Sequence, residues 1–177
     1  MPGLATIRPW RLKRVAAVLE VGGSIDGALQ PDGGLGVTDV NAAVDNTGTV
    51  IASAGTLSFG QSVGGAGGFD IEGGARIDFA TVVGSSTSIA FIGGGGTLAI
   101  DSLGTIFGGE VSGFVLGDAL DLTSVQSGID TGHNFNDGTL MVSDGTHAVS
   151  VNLLGSYNNN SFMLESDLHG GTLVLHT

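Results

Sequence analysis

Three segments decide the fold: Thr49–Phe59 reads TVIASAGTLSF, Phe69–Phe79 reads FDIEGGARIDF, and Ile89–Ile100 reads IAFIGGGGTLAI. Each is a short alternating strand, a glycine- or alanine-containing turn, and a second alternating strand. Ile51, Ile71 and Phe91 recur at one even interval. Leu57, Ile77 and Leu98 keep that interval to within a single position, and Phe59, Phe79 and Ile100 follow them. Alternation with period two sends one set of side chains inward and the other outward. One unit of this length cannot bury its inward residues alone, whereas stacked units can, each about 4.8 Å above the last. The expected arrangement places Ile51 over Ile71 over Phe91 as an internal column, with Gly73-Gly74 and Gly93 to Gly96 at corners that need φ > 0. An antiparallel sandwich or barrel of short strands would also show frequent turns. The fixed register favours the stack.

Outward from these segments the pattern loosens. Residues 21–48 read as a degenerate first coil, and Thr105-Ile106-Phe107 and Val111 continue the repeat zone, which spans 49–116. Residues 117–177 read differently. Thr139–Ser143, an Asp144-Gly145 turn and Thr146–Leu153 form a hairpin signal. Phe162–Glu165 and Thr172–His176 form a second strand pair around Gly170-Gly171. An open end of a stack exposes backbone groups and apolar side chains, so this meander is expected to be its lid. The fold class read from the sequence is therefore all-β: a right-handed parallel β-solenoid (β-helix) with ~20-residue coils and a C-terminal antiparallel β cap.

Composition agrees. Among 177 residues, 41% are hydrophobic, 12% charged and 33 are glycine, with only three prolines. The mean hydropathy of +0.36 opposes a disordered chain, which is poor in apolar residues. Glycine costs a helix interior about 1 kcal/mol per residue relative to alanine, so long helices are not expected. With no cysteine, disulfides and thiol chemistry are excluded; such a chain suits crossing a membrane unfolded and folding outside.

The charges are segregated. Arg8, Arg11, Lys13 and Arg14 lie near the start, while all 17 acids and one base, Arg76, lie after Val15. That acidic body would repel phosphate backbones and anionic membranes, so nucleic acid is not an expected partner and cations are the natural counterions. No run approaches the ~18 apolar residues of a membrane span. The apolar run Val15–Leu19 is shorter than the about 7–15 residues of a secretory core segment. Residues 1–20 are accordingly read as a basic leader outside the fold.

Several residues resemble those of exported bacterial proteins. Gly55-Thr56-Leu57 and Gly96-Thr97-Leu98, set in glycine-rich coils, resemble the passenger repeats of autotransporter-like surface solenoids. The run from Gly113 to Leu122, GFVLGDALDL, is similar to the segment that closes glycine-rich solenoids in haemolysin-type, type I-secreted proteins. Ser166 to Val174 is similar to the C-terminal ends of such surface proteins. The resemblance covers roughly residues 48 to 177. It implies a fragment or short relative of an exported adhesin-like protein, extracellular or on the bacterial surface, with the export signal in 117–177. Calcium rolls carry tandem Gly-Gly-x-Gly-x-Asp nonapeptides. Here Gly64-Gly65-Ala66-Gly67-Gly68-Phe69-Asp70 is a single variant with its Asp one residue late.

The expected role is a non-catalytic scaffold with extracellular glycans or host and matrix surfaces as partners and divalent cations as bridges. Two alternatives stand beside it: a carbohydrate-active β-helix enzyme or accessory module, and a calcium-dependent folding and export module. For calcium the candidates are Asp118 and Asp121. Since Ca²⁺ takes six to eight oxygens, the simpler reading makes Asp118 a turn residue and Asp121 a solvent-facing one. For catalysis the candidate cluster is Asp70, Glu72, Arg76 and Asp78, since paired carboxylates can perform glycosidic chemistry. These also alternate with Phe69, Ile71, Ile77 and Phe79, as a solvated face would. No catalytic or cofactor-binding residue is assigned. His133, His147, His169 and His176 lack the close spacing of zinc ligands and are expected in loops or exposed strands. The outward series Ser58, Asp78, Ala99 is not the threonine ladder of an ice-binding face.

Overall fold

The computed structural model describes residues 19–21, 24–25, 36–101 and 107–177. Residues 1–18 of the 1–20 leader, most of the stretch before Gly36, and Thr105 and Ile106 lie outside the described residues, while Leu19 and Glu20 belong to a strand. No α-helix occurs among the described residues. The chain winds through three sheets in turn. Sheet A holds β1 (Leu19–Val21), β4 (Val44–Asn46) and β7 (Val63–Gly64), with Val83 bridging parallel to Val63. The coils of sheet B are β2 (Ser24–Ile25), β5 (Thr49–Ala52), β8 (Gly68–Glu72), β10 (Ser88–Ile92) and β12 (Glu110–Ser112). Those of sheet C are β3 (Val37–Val40), β6 (Gly55–Phe59), β9 (Ala75–Phe79), β11 (Thr97–Ile100) and β13 (Ala119–Leu122). Every pairing within these coils is parallel. The protein is a β-solenoid.

Sheet C stacks as the spacing predicts. Leu57, Ile77, Leu98 and Leu120 form one buried column, and Phe59, Phe79, Ile100 and Leu122 another. In the adjoining sheet B, Val50, Phe69, Ile89 and Val111 line up in the core. The expected Ile51–Ile71–Phe91 column is corrected in its first member. Ala52 pairs with Ile71 and Ile71 with Phe91, while Ile51 sits beside Asp70 on the outer surface. Val50, Ile51 and Ala52 are all apolar, so alternation does not fix which of them turns inward, and a one-residue slip exchanges the two faces. The flanking elements decide: Val44 pairs with Val63 and Thr38 with Leu57, each by the same step that carries Ala52 to Ile71.

The coils lengthen along the stack. In sheet C each step of the register is one position longer than the step before, from Thr38 through Leu57, Ile77 and Leu98 to Leu120. The corner from sheet B to sheet C takes up the early additions. Its span grows by one position per coil, from Val50–Leu57 through Phe69–Ile77 to Ile89–Leu98. Glycine supplies the backbone freedom there, with φ of +89°, +81° and +88° at Gly93, Gly94 and Gly95.

The corner from sheet A to sheet B is built differently. Asn46 is fully buried; its side chain donates to the Gly68 carbonyl at 2.9 Å and accepts from Gly48 N–H at 3.0 Å. In the next coil Gly65 has φ +92°, and a Cβ on it would overlap the Asn46 carbonyl oxygen. Gly74 has φ +84° with open space around it. Gly65→Ala is therefore expected to cost about 2–3 kcal/mol, against about 1 kcal/mol for Gly74→Ala, which meets only the left-handed backbone penalty. Urea unfolding of the two variants checks this; equal losses would show that the coils separate freely at this corner.

The last segments extend two of the sheets. β14 (Gly132–Asn136), β15 (Thr139–Ser143) and β16 (Ala148–Leu154) form an antiparallel meander, and β16 lies parallel to β12. β17 (Phe162–Ser166) and β18 (Thr172–His176) form an antiparallel pair, with β18 antiparallel to β13. The expected hairpins are present; β14 is an added strand. Between the two sheets the cap packs Phe114, Phe135, Tyr157 and Phe162, with ring centroids 5.5–6.4 Å apart. Such offset aromatic packing closes the apolar interior. Asn159, in a 3-10 turn (Asn159–Ser161), accepts from the Phe135 backbone N–H at 2.6 Å. It thereby occupies a hydrogen-bonding position on the edge strand, which would otherwise invite another chain.

Candidate functional site

The charged residues singled out in the sequence separate onto two faces. Asp70 and Glu72 alternate with the buried Phe69 and Ile71 and project from sheet B. Arg76 and Asp78 alternate with Ala75, Ile77 and Phe79 and project from sheet C. The four are therefore not one cluster. Register instead stacks Asp39, Ser58, Asp78, Ala99 and Asp121 into a single outer column of sheet C.

Arg76 organises this column. Its guanidinium donates to Asp121 Oδ2 at 2.7 Å. It thereby reaches past β11 to the second strand over. Asp121 is not the solvent-facing residue expected: it is 6% exposed, which an ion pair makes tolerable where an unpaired charge would not be. Asp101, just beyond β11, joins the group. Its charge acts on Asp78, and it accepts from the Thr123 hydroxyl at 2.6 Å. Burial and then the Asp101 charge raise the Asp78 carboxyl to about 6, against the opposing pull of Arg76. Asp101 and Thr123 escaped the sequence reading because they lie just past strand ends. The lengthening register steps carry the signal that sets Asp78, Ala99 and Asp121 in line.

Asp118 lies elsewhere, at the corner from sheet B to sheet C, and is 1% exposed. Its Oδ1 accepts from Gly96 N–H at 3.0 Å and its Oδ2 from Val115 N–H at 2.9 Å. The two calcium candidates thus belong to different networks. Among the described residues, no three acidic or histidine side chains are grouped to hold a metal ion.

The histidines divide. His133 and His176 join the cap: His133 packs edge-on to Phe162 at 6.0 Å and contacts the Asn159 carbonyl through Nε2 at 2.9 Å, and His176 packs on Tyr157 at 5.8 Å. His147 and His169 lie at turns. At the first of these, the backbone N–H groups of His147, Gln126 and Thr146 hold Asp144 well below the usual carboxylate range. Tyr157 donates to the Phe114 carbonyl at 2.9 Å, and burial pushes its phenol up.

Sheet B offers a different kind of surface. Thr49, Gly68, Ser88, Glu110, Asn152, Thr139 and Asn136 pair in succession across seven strands. They form one outer row, about 30 Å long at the strand spacing. All but Glu110 are uncharged and all are short or flexible. Thr139 donates to Asn152 at 3.0 Å within the row. No helix among the described residues is long and apolar enough to cross a membrane. Comparison with protein-family models, curated proteins and solved structures returned no match.

Proposed function

We propose that this chain is a non-catalytic scaffold module, secreted or displayed on a bacterial surface, which holds extracellular glycan or matrix polymers against its outer faces. The observation that carries the reading is the polar row of sheet B. Hydroxyl and amide groups stand at five of its seven strands, Gly68 and Glu110 taking the other two places, and each can both donate to and accept from sugar hydroxyls. A row about 30 Å long matches an extended polymer better than a small ligand, for which concave pockets are the usual site. The acidic body favours neutral polymers, or acidic ones bridged by divalent cations. The same reading places the chain among autotransporter-like or type I-secreted adhesins, with residues 117–177 as the region that guides export.

The test is retention of the protein on immobilised neutral and acidic glycans, with and without a divalent cation, beside a reducing-end release assay. Saturable retention without release is expected, weakened tenfold or more by Ser88→Arg with Asn152→Arg in the exposed row. Retention on none of the polymers would overturn the reading. So would release of reducing ends that is lost in Arg76→Ala, which would make the chain an enzyme acting through sheet C.

A further inference from the structure

We propose that β17 is the docking edge for a second copy of this chain. The two β17 strands pair antiparallel, so that sheet C runs on from one copy into the other. β17 is the last strand of sheet C and pairs only with β18. Bonds at its two ends fix the direction of its backbone groups. Thr177 N–H donates to the Ser161 carbonyl at 3.1 Å, and Asp167 N–H to the Gly171 carbonyl at 3.2 Å. Hydrogen-bonded and non-hydrogen-bonded pairs alternate along an antiparallel ladder. Met163 and Glu165 therefore turn their N–H and C=O groups toward β18, while Phe162, Leu164 and Ser166 turn theirs away from it. Among the described residues, nothing bonds to those outward-turned groups. Such an open row is a template for a further strand. The cap edge of sheet B differs, because Asn159 Oδ1 already takes the Phe135 N–H on β14. β17 carries neither proline nor lysine, two of the usual safeguards of a free edge.

The strand suits its own twin. In an antiparallel pair centred on Leu164, that residue faces Leu164 of the second copy, Phe162 faces Ser166, and Met163 faces Glu165. The open groups of Phe162, Leu164 and Ser166 then satisfy one another. No two like charges stand directly opposite, an arrangement that would be destabilising. On the inner side, Phe162 is buried, and Leu164 packs against the core while only partly covered. A second Leu164 seated there completes its burial. A two-fold axis through Leu164 makes the contact isologous, so it closes as a dimer and does not grow into a fibre. Charge works against it. The chain carries a net −12, and Glu165 lies diagonal to its twin across the axis. Salt screens both repulsions, so the dimer is expected to tighten as ionic strength rises.

Sedimentation velocity on the full chain, over a wide range of concentration at low and at high salt, tests this. A monomer–dimer equilibrium is expected, with the tighter dimer in high salt. Leu164→Pro removes an N–H that β18 does not use, and edge strands accept proline at such places. It should abolish the dimer and leave the far-UV circular dichroism unchanged. Charge at Met163, which is 43% exposed, reads the register. Met163→Lys sets a cation opposite Glu165 on both sides of the axis and should tighten the dimer several-fold. Met163→Glu should loosen it about tenfold, since each cross-strand substitution counts twice in a symmetric pair. A chain that stays monomeric at every concentration and salt leaves this edge to some other strand and overturns the proposal. So does a dimer indifferent to Leu164→Pro and to both charges at Met163, which would seat the second copy elsewhere. Should Leu164→Pro fail to fold, the two Met163 variants decide, because that side chain lies outside the core.

Discussion

Replacing Phe79 with alanine is expected to destabilise the protein by about 3–5 kcal/mol, as for other fully buried aromatic truncations. Phe79 is 1% exposed. Its ring stacks on Phe59 at 5.3 Å, meets Phe69 edge-on at 5.4 Å and touches Phe107 at 6.1 Å. It therefore joins successive coils along sheet C and reaches across the interior to sheet B. A solenoid interior closes poorly around a lost ring, because the hydrogen-bonded strands on each side hold the coil spacing. The void then persists and its cost adds to the lost burial. Domains are commonly stable by about 5–15 kcal/mol, so one truncation removes a large share. Urea unfolding measures the loss, with Val82→Ala as the control, since Val82 is 46% exposed. A loss below about 1 kcal/mol for Phe79→Ala would mean that the coils do not share a packed core, contrary to the behaviour of buried aromatics.

The same columns explain what could be read from the sequence. Leu57, Ile77 and Leu98 are flanked by polar or small residues, so each strand of sheet C has one inward parity and the stack follows from spacing. Val50-Ile51-Ala52 lacks that contrast, and its register became visible only with its neighbours in place. The cap was legible where turns are explicit, as at Asp144-Gly145, and hidden at β14, whose His133-Asn134-Phe135 core has little strand character by composition. The charged network was only half legible. Arg76 and Asp78 stand out as near neighbours, but their partners Asp101 and Asp121 lie one and two coils away. Such contacts appear only once the lengthening of successive coils is counted. The polar row of sheet B was missed because its members, mostly common Ser, Thr and Asn residues, are meaningful only through alignment across strands. A chemical motif would have announced a catalytic site, whereas a flat repeating surface has no local signature.

Asp118→Ala is expected to cost about 3 kcal/mol, since it strips acceptors from one buried and one partly buried N–H group, a buried one being worth about 1–3 kcal/mol when left unsatisfied. Asp118 Oδ1 binds Gly96 N–H in the preceding coil, and Oδ2 binds Val115 N–H in its own. The carboxyl group thus ties two successive corners where glycine supplies little packing of its own. Asp118→Asn retains one acceptor and turns an amide NH₂ toward the other N–H, so it should fall between alanine and wild type. The pair of variants also separates two roles for this residue. A calcium ligand would make wild-type stability rise with added calcium and drop with chelator, and Asp118→Ala would abolish that response. A corner tie predicts the same loss in calcium and in chelator, because both oxygens already serve backbone donors. Thermal melts of wild type and both variants under the two conditions distinguish them. A calcium-dependent rise confined to wild type would return Asp118 to the role of a metal ligand and require the corner to open on binding.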